Sequence, residues 1–220
     1  MITLAGVGYE AGGTRILDDL NLTLRAGEVT AFVGASGCGK STLLRIIAGL
    51  RTADRGEIRG VPARRAFVFQ EHALLPWLTL GKNVSLPGRY RSHTHPAVEP
   101  VLERLGLGAH RDKLPNALSG GQRMRGSIAR ALYSAPEVVF LDEAFAALDG
   151  ITRRSVQADF QAVSRAEGWT VLMVTHDLGE AKALGDRIVA LSGPPLRVCL
   201  DRPASEVTER ELIASLGVGA

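Results

Sequence analysis

Long apolar runs are missing from this sequence, and so are a disulfide framework of cysteines and any strong excess of one charge. Each absence removes a class of protein. A membrane-spanning helix needs about 18 or more consecutive apolar residues. The longest candidates here, such as Val138–Leu141 and Val171–Val174, are only strand-length. Two cysteines, Cys38 and Cys199, make no disulfide framework and fit a reducing cytosol. Lysine and arginine total 26 against 23 acidic residues, and this net charge of +3 is scattered rather than clustered, so no nucleic-acid partner is expected. The opening Met1-Ile-Thr-Leu-Ala-Gly6 has no basic stretch leading into an apolar one, and no secretory signal is expected. There is no internal repeat, low-complexity tract or heptad run. The composition that remains, 45% hydrophobic and 22% charged over 220 residues, is that of a globular protein with a large core. Any membrane contact is therefore expected to come through a partner.

Short apolar runs that stop at polar or glycine residues predict strands at Val29–Val33, Ala66–Phe69, Val138–Leu141, Val171–Val174 and Ile188–Leu191. Continuous runs of this kind suit strands buried on both faces of a mostly parallel sheet. Ile2–Tyr9 and Leu20–Leu24 alternate more and lie between turn residues, which predicts an antiparallel edge layer. Helical spacing predicts one helix over Ser41–Leu50, with Leu43, Ile47 and Leu50 on its buried face. A second is expected over Gln122–Tyr133, burying Met124, Ile128 and Leu132. Strand signals stop between Glu71 and Pro136, so 71–136 reads as a helical subdomain inserted into an α/β core of 1–70 and 137–220. Pro87–Pro96 reads as a solvated loop, and its His93 and His95 have no partners that would make them metal ligands.

Gly34-Ala35-Ser36-Gly37-Cys38-Gly39-Lys40-Ser41 matches the G-x-x-x-x-G-K-[ST] loop in full, after a buried strand and before a helix. Glycines let the backbone curl so that N–H groups converge on phosphate oxygens, and the helix N-terminus adds partial positive charge there. Lys40 is expected to reach the β- and γ-phosphates, the Ser41 hydroxyl to ligate Mg²⁺, and Thr42 to extend the contact. Cys38 serves there as a small residue. The pattern predicts a P-loop NTPase core binding a nucleoside triphosphate. Val138-Val-Phe-Leu-Asp142-Glu143 is an apolar strand ending in two acids. Asp142 is expected to hold Mg²⁺, and Glu143 to polarise an attacking water as general base. An exposed acidic turn is the plainer alternative.

Leu118-Ser119-Gly120-Gly121-Gln122 precedes an amphipathic helix and reads as a second anion-binding N-terminus. A second cradle is superfluous within one site and makes sense if it caps the γ-phosphate held by another copy. A simple N-cap, Ser119 on Gln122, is the plainer reading. With this motif the chain resembles the nucleotide-binding subunits of ABC transporters along essentially its whole length. The resemblance implies a head-to-tail dimer with two ATP molecules sandwiched between copies. It makes Tyr9 the aromatic that stacks on adenine and Gln70 the residue at the junction of the core and helical subdomain, near Mg²⁺ and the reacting water. Asp149, in Ala147-Leu148-Asp149, becomes a dimer-contact residue, and His176, in Val174-Thr-His-Asp177, the switch histidine. Each has a plainer reading as an edge-strand tyrosine, a strand-end amide or a loop histidine.

Leu74-Leu75-Pro76-Trp77-Leu78 is too apolar for a free loop and resembles the run in importer ATPases for nitrate, sulfonates, taurine and related solutes where a membrane subunit docks. That resemblance implies two permease subunits, an indirect solute-binding protein, and a peripheral place on the cytoplasmic face of the inner membrane. With the sequence ending at Ala220, the C-terminal regulatory domain of many sugar-importer ATPases is not expected. Ala144 and Ala146 depart from the family's usual proline and glycine, and Arg123-Met-Arg-Gly126 from its usual Gln-Arg pairing. The alternative is a soluble ABC-type ATPase of assembly or repair. A repair member would carry a long coiled coil that this chain lacks, and a soluble one has little use for an apolar loop.

Overall fold

A computed structural model of the chain describes residues 1–69, 73–90 and 96–216. In chain order the elements are β1 (Ile2–Ala11), β2 (Thr14–Leu24), β3 (Val29–Val33), α1 (Lys40–Ile47), β4 (Arg55–Arg59), β5 (Arg65–Phe69), α2 (Leu80–Val84) and α3 (Val98–Arg104). They continue with α4 (Gly120–Tyr133), β6 (Val138–Asp142), α5 (Gly150–Ala166), β7 (Thr170–Thr175), α6 (Leu178–Leu184), β8 (Arg187–Ser192), β9 (Arg197–Pro203) and α7 (Glu209–Ser215). Two compact units result. The first joins Met1–Ala63 to the residues from Trp169 onward, and the second is Arg64–Gly168.

In the first unit β2, β1 and β4 form the expected antiparallel layer. A second layer runs β7-β3-β8-β9, with β7, β3 and β8 parallel and β9 antiparallel to β8. Every residue of β3 and β7 is buried, which is why both read as unbroken apolar runs. The sequence did not reveal β4 or β9. Only Ile58 in β4 and Leu200 in β9 are even half-buried, so these edge strands bury no face and carry no alternation.

Leu50 does not join the buried face of α1 as expected. Gly49, at φ 73, ends the helix in the left-handed conformation. Its N–H donates to the Ile46 carbonyl at 3.0 Å and that of Leu50 to the Arg45 carbonyl at 2.8 Å, a Schellman closure. Leu50 is thereby turned out, 56% exposed.

In the second unit β5 and β6 pair in parallel, Arg65 opposite Val138 and Phe69 opposite Asp142. Met124, Ile128 and Leu132 of α4 are buried as expected. No strand occurs between 73 and 136 among the described residues. The apolar loop before α2 is held by Asn83, which is fully buried. Its Oδ1 accepts from the Leu75 N–H at 2.7 Å, and its Nδ2 donates to the carbonyls of Leu75, Leu78 and Thr79. Leu74, Leu75 and Leu78 are half-buried by this arrangement, whereas Trp77 stands 71% exposed. The sequence reading had the whole stretch exposed; the leucines instead pack inward, Leu74 reaching α4 at Gly126.

Candidate functional site

The phosphate loop leaves β3 where side chains are forbidden. A Cβ on Gly34 would lie 2.2 Å from the Leu191 carbonyl oxygen, and Gly39, at φ 112, would push one to 2.9 Å from Ile16 Cγ2. Lys40, the first residue of α1, is only 4% exposed. Its ammonium donates to the carbonyls of Gly34 and Ala35, both at 2.8 Å. A buried cation is tolerable only with such acceptors. Ala35, Ser36 and Gly37 are exposed, Cys38 is packed against Leu191, and Ser41 and Thr42 lie half-buried on the first turn. A lysine, a hydroxyl and the N-terminus of a helix are thus gathered at one point, an arrangement that attracts anions.

The same unit brings His176 to this end of its sheet. Val33 pairs with Thr175 in parallel register, so Gly34 and His176 leave neighbouring strands side by side. His176 is exposed. Tyr9 is half-exposed on β1, where Arg51 donates to its hydroxyl at 2.9 Å and lies 5.8 Å from its ring centre.

In the second unit, Asp142 closes β6 at 6% exposure. Glu143 follows at φ 48, a left-handed conformation that costs a non-glycine residue energy and marks sites where a side chain is deliberately aimed. Phe145, edge-on to Phe160 with ring centres 5.9 Å apart, anchors the turn, and Ala144 is buried beside it. Arg153 donates to the carbonyls of Ala146 and Leu148, tying down the segment that leads to Asp149. Asp149 caps α5, accepting from the N–H groups of Ile151 and Thr152. The Thr152 N–H, followed by its hydroxyl, holds this carboxyl below the usual carboxylate range.

Ser119 and Gln122 form a reciprocal capping box. Ser119 Oγ accepts from the Gln122 N–H at 3.2 Å, and Gln122 Oε1 accepts from the Ser119 N–H at 2.9 Å. The plainer N-cap reading is therefore present, and it leaves the hydroxyl proton of the exposed Ser119 and the half-buried Gly120 available. Gly121 has a different reason to be glycine: a Cβ would lie 2.5 Å from Thr152 Cγ2, so α4 can approach α5 only without it. Gly120 faces Leu148, which brings the Leu118–Gln122 motif and the loop ending in Asp149 together within this unit. The departures after the motif acquire partners. Arg123 donates to the Leu118 carbonyl at 2.7 Å, Arg125 binds Asp159 and Ser155, and Gly126 makes room for Leu80.

Gln70, like His93 and His95, lies outside the described residues. Sequence reasoning missed Arg153 and Arg130. Arg130 donates to the Ala73 carbonyl at 2.7 Å, and burial lowers its pKa from the ordinary arginine value. A single arginine within the otherwise apolar Ile128–Leu132 was the available signal. Oxygen donors such as Ser41 and Asp142 are of the kind that suits Mg²⁺.

A family model described as ABC transporter matches residues 17–146. The chain is 40% identical over 199 residues to an aliphatic sulfonates import ATP-binding protein, SsuB 2, of Pseudomonas syringae pv. tomato, covering 90% of this chain and 85% of that protein. To SsuB of Yersinia pestis it is 39% identical, covering 100% and 88%. Among solved structures it is similar to a dimeric bacterial ABC transporter cassette, with TM-score 0.79 and 30% identity over 93% of this chain and 99% of that one. The same similarity extends to a dimeric post-hydrolysis state of an ATP-binding cassette bound to ADP and Pi.

Gly121→Ala is expected to destabilise the chain by about 1–3 kcal/mol, the usual result of overpacking. Gly120→Ala, whose new methyl meets nothing closer than 3.5 Å, should change little. Thr152→Ser, which removes the obstructing methyl and keeps the hydroxyl, should recover most of the Gly121→Ala loss. Denaturant melts of the three variants check this, and equal effects at both glycines would contradict it.

Proposed function

This chain belongs to the ABC transporter family, and we propose that it is the ATP-hydrolysing motor subunit of an importer for aliphatic sulfonates or a related small organic solute. As an ATP-binding cassette it is an ATPase. The observation that carries the reading is the phosphate loop with its buried Lys40, set in a chain similar along nine-tenths of its length to a sulfonate-import ATP-binding protein. Gly34–Thr42 would wrap the phosphates, Lys40 turning from its carbonyls to the β- and γ-oxygens, while Tyr9 receives the adenine. Ser41 and Asp142, with Gln70, would hold Mg²⁺, which when bound neutralises charge on the β- and γ-phosphate oxygens.

Glu143 takes a proton from a water whose oxygen bonds to the γ-phosphorus. The bond from that phosphorus to the β–γ bridging oxygen breaks, and ADP and phosphate result. His176 would report the γ-phosphate. Two copies pair head to tail, a reading supported by the dimeric state of a similar cassette. The Ser119 hydroxyl and Gly120 of one copy then cap the γ-phosphate held by the other, and Asp149 meets the partner. The helical subdomain 71–136 carries Trp77 outward. Leu114, 40% exposed, follows Lys113, whose carbonyl accepts from the Leu80 N–H at the start of α2. This surface would receive two permease subunits at the cytoplasmic face of the membrane, and a solute-binding protein would act through them.

Glu143→Gln is expected to keep ATP binding and lose hydrolysis by about 10²–10⁴-fold, since an amide keeps the shape and cannot accept the proton. The variant should accumulate as an ATP-bound dimer on size exclusion, and turnover near the wild-type rate would remove Glu143 from this role. Trp77→Glu tests the docking surface. It should leave the ATPase rate of the free subunit nearly unchanged and weaken co-purification with a permease of the sulfonate-import type, because losing a buried aromatic anchor costs about 2 kcal/mol or more. Unchanged co-purification and transport would favour the soluble-ATPase reading.

A further inference from the structure

Behind His176 lies a buried hydrogen-bonded ring that the nucleotide reading does not use. Thr175, the last residue of β7, is 2% exposed, and Glu180, on the first turn of α6, is 8% exposed. The Asp177 N–H donates to Thr175 Oγ1 at 3.0 Å. The Thr175 hydroxyl in turn donates to Glu180 Oε2. The Glu180 N–H closes the circuit by donating to Asp177 Oδ1, again at 3.0 Å. His176, exposed, is the one residue of the 175–177 turn whose side chain these bonds do not engage.

A buried carboxyl is expensive to desolvate and is retained where its hydrogen bonds specify a conformation. Here the carboxyl fixes a turn. Val33 and Thr175 are paired, so the turn begins level with the start of the phosphate loop. A shift of Thr175 would swing the next side chain away from that level. The hydroxyl must both accept from Asp177 and donate to Glu180, which only threonine or serine can do at this position. Valine has the same shape and can do neither.

We propose that Glu180 is the positioning residue of His176: by holding the Thr175 hydroxyl it fixes the 175–177 turn so that the imidazole faces the γ-phosphate. This rests on the reading of His176 given above, and the ring is the device that makes that exposed histidine directional. Preorganisation of this kind acts on the rate more than on binding, because ATP is held by the phosphate loop and the histidine acts on the reacting phosphate.

The test is steady-state ATPase kinetics of the full chain with Mg-ATP. Thr175→Val should lower kcat about tenfold with KM changed less than about twofold, and Thr175→Ser should restore kcat to within about twofold of wild type. Glu180→Asp keeps the charge but withdraws the oxygen by one methylene. It should reproduce the drop, and it decides the matter if Thr175→Val fails to fold. Glu180→Gln keeps an acceptor oxygen and should stay near wild type. In a His176→Ala background, Thr175→Val should add no further loss.

The outcomes separate the two claims. His176→Ala with a wild-type rate removes the histidine's role and leaves the ring without an object. His176→Ala inactive, with Thr175→Val and Glu180→Asp at wild-type kcat, overturns the positioning role alone. A loss in Thr175→Val that is independent of His176, or confined to KM or to the melting temperature, also overturns it.

Discussion

An ammonium group buried to 4% exposure sets the terms for the nucleotide end of the first unit. Lys40 must have acceptors, and the backbone carbonyls of Gly34 and Ala35 supply them. Supplying them requires the chain to curl immediately after β3, with no side chain at Gly34 and a left-handed backbone at Gly37 and Gly39. β3 must therefore be rigid, and it is: all five residues are buried between β7 and β8. That registry in turn delivers His176 beside the loop, with the Thr175–Glu180 ring behind it. A triphosphate's oxygens are better partners for the ammonium than neutral carbonyls, since their negative charge adds Coulomb attraction to the hydrogen bond.

The second unit is organised by a close approach of two helices. Without a methyl at Gly121, α4 reaches Thr152 of α5, and Gly120 comes against Leu148. Two capped helix starts, Ser119 on α4 and Asp149 on α5, are thereby presented by one rigid pair. Arg153 and the Phe145–Phe160 contact fix the turn between Glu143 and Asp149, so the strained Glu143 backbone is enforced from both sides. Arg130 carries the same rigidity to Ala73, the first described residue beyond Gln70. These links give α4 a mechanical connection to the segment that leads to Trp77.

Much of this was legible in the residues because burial writes itself into sequence. β3, β6 and β7 are buried on both faces and read as unbroken apolar runs, and the phosphate loop was visible because its geometry tolerates so few residue types. Elements that bury little left no trace: β4 and β9 lie at sheet edges with exposed, charged side chains. Leu50 misled because periodicity cannot see a left-handed Gly49 ending the helix three residues early. The leucines around Trp77 misled because hydropathy reports that a loop is apolar but not that Asn83 gathers it inward. Gly121 was read as part of an anion cradle, whereas its packing reason depends on Thr152, 31 positions away in the chain. Arg153 acts on backbone carbonyls, and Thr175 and Glu180 meet each other across a tight turn, neither of which hydropathy or motif spacing reveals.

The central claim is that the chain hydrolyses ATP only when two copies share each nucleotide. The most direct measurement is the ATPase rate per subunit as the protein is diluted at saturating Mg-ATP. The account predicts a rate per subunit that falls with dilution, as expected when the active species is a dimer. A rate per subunit that stays flat to high dilution, in protein shown to be monomeric by light scattering, would contradict it.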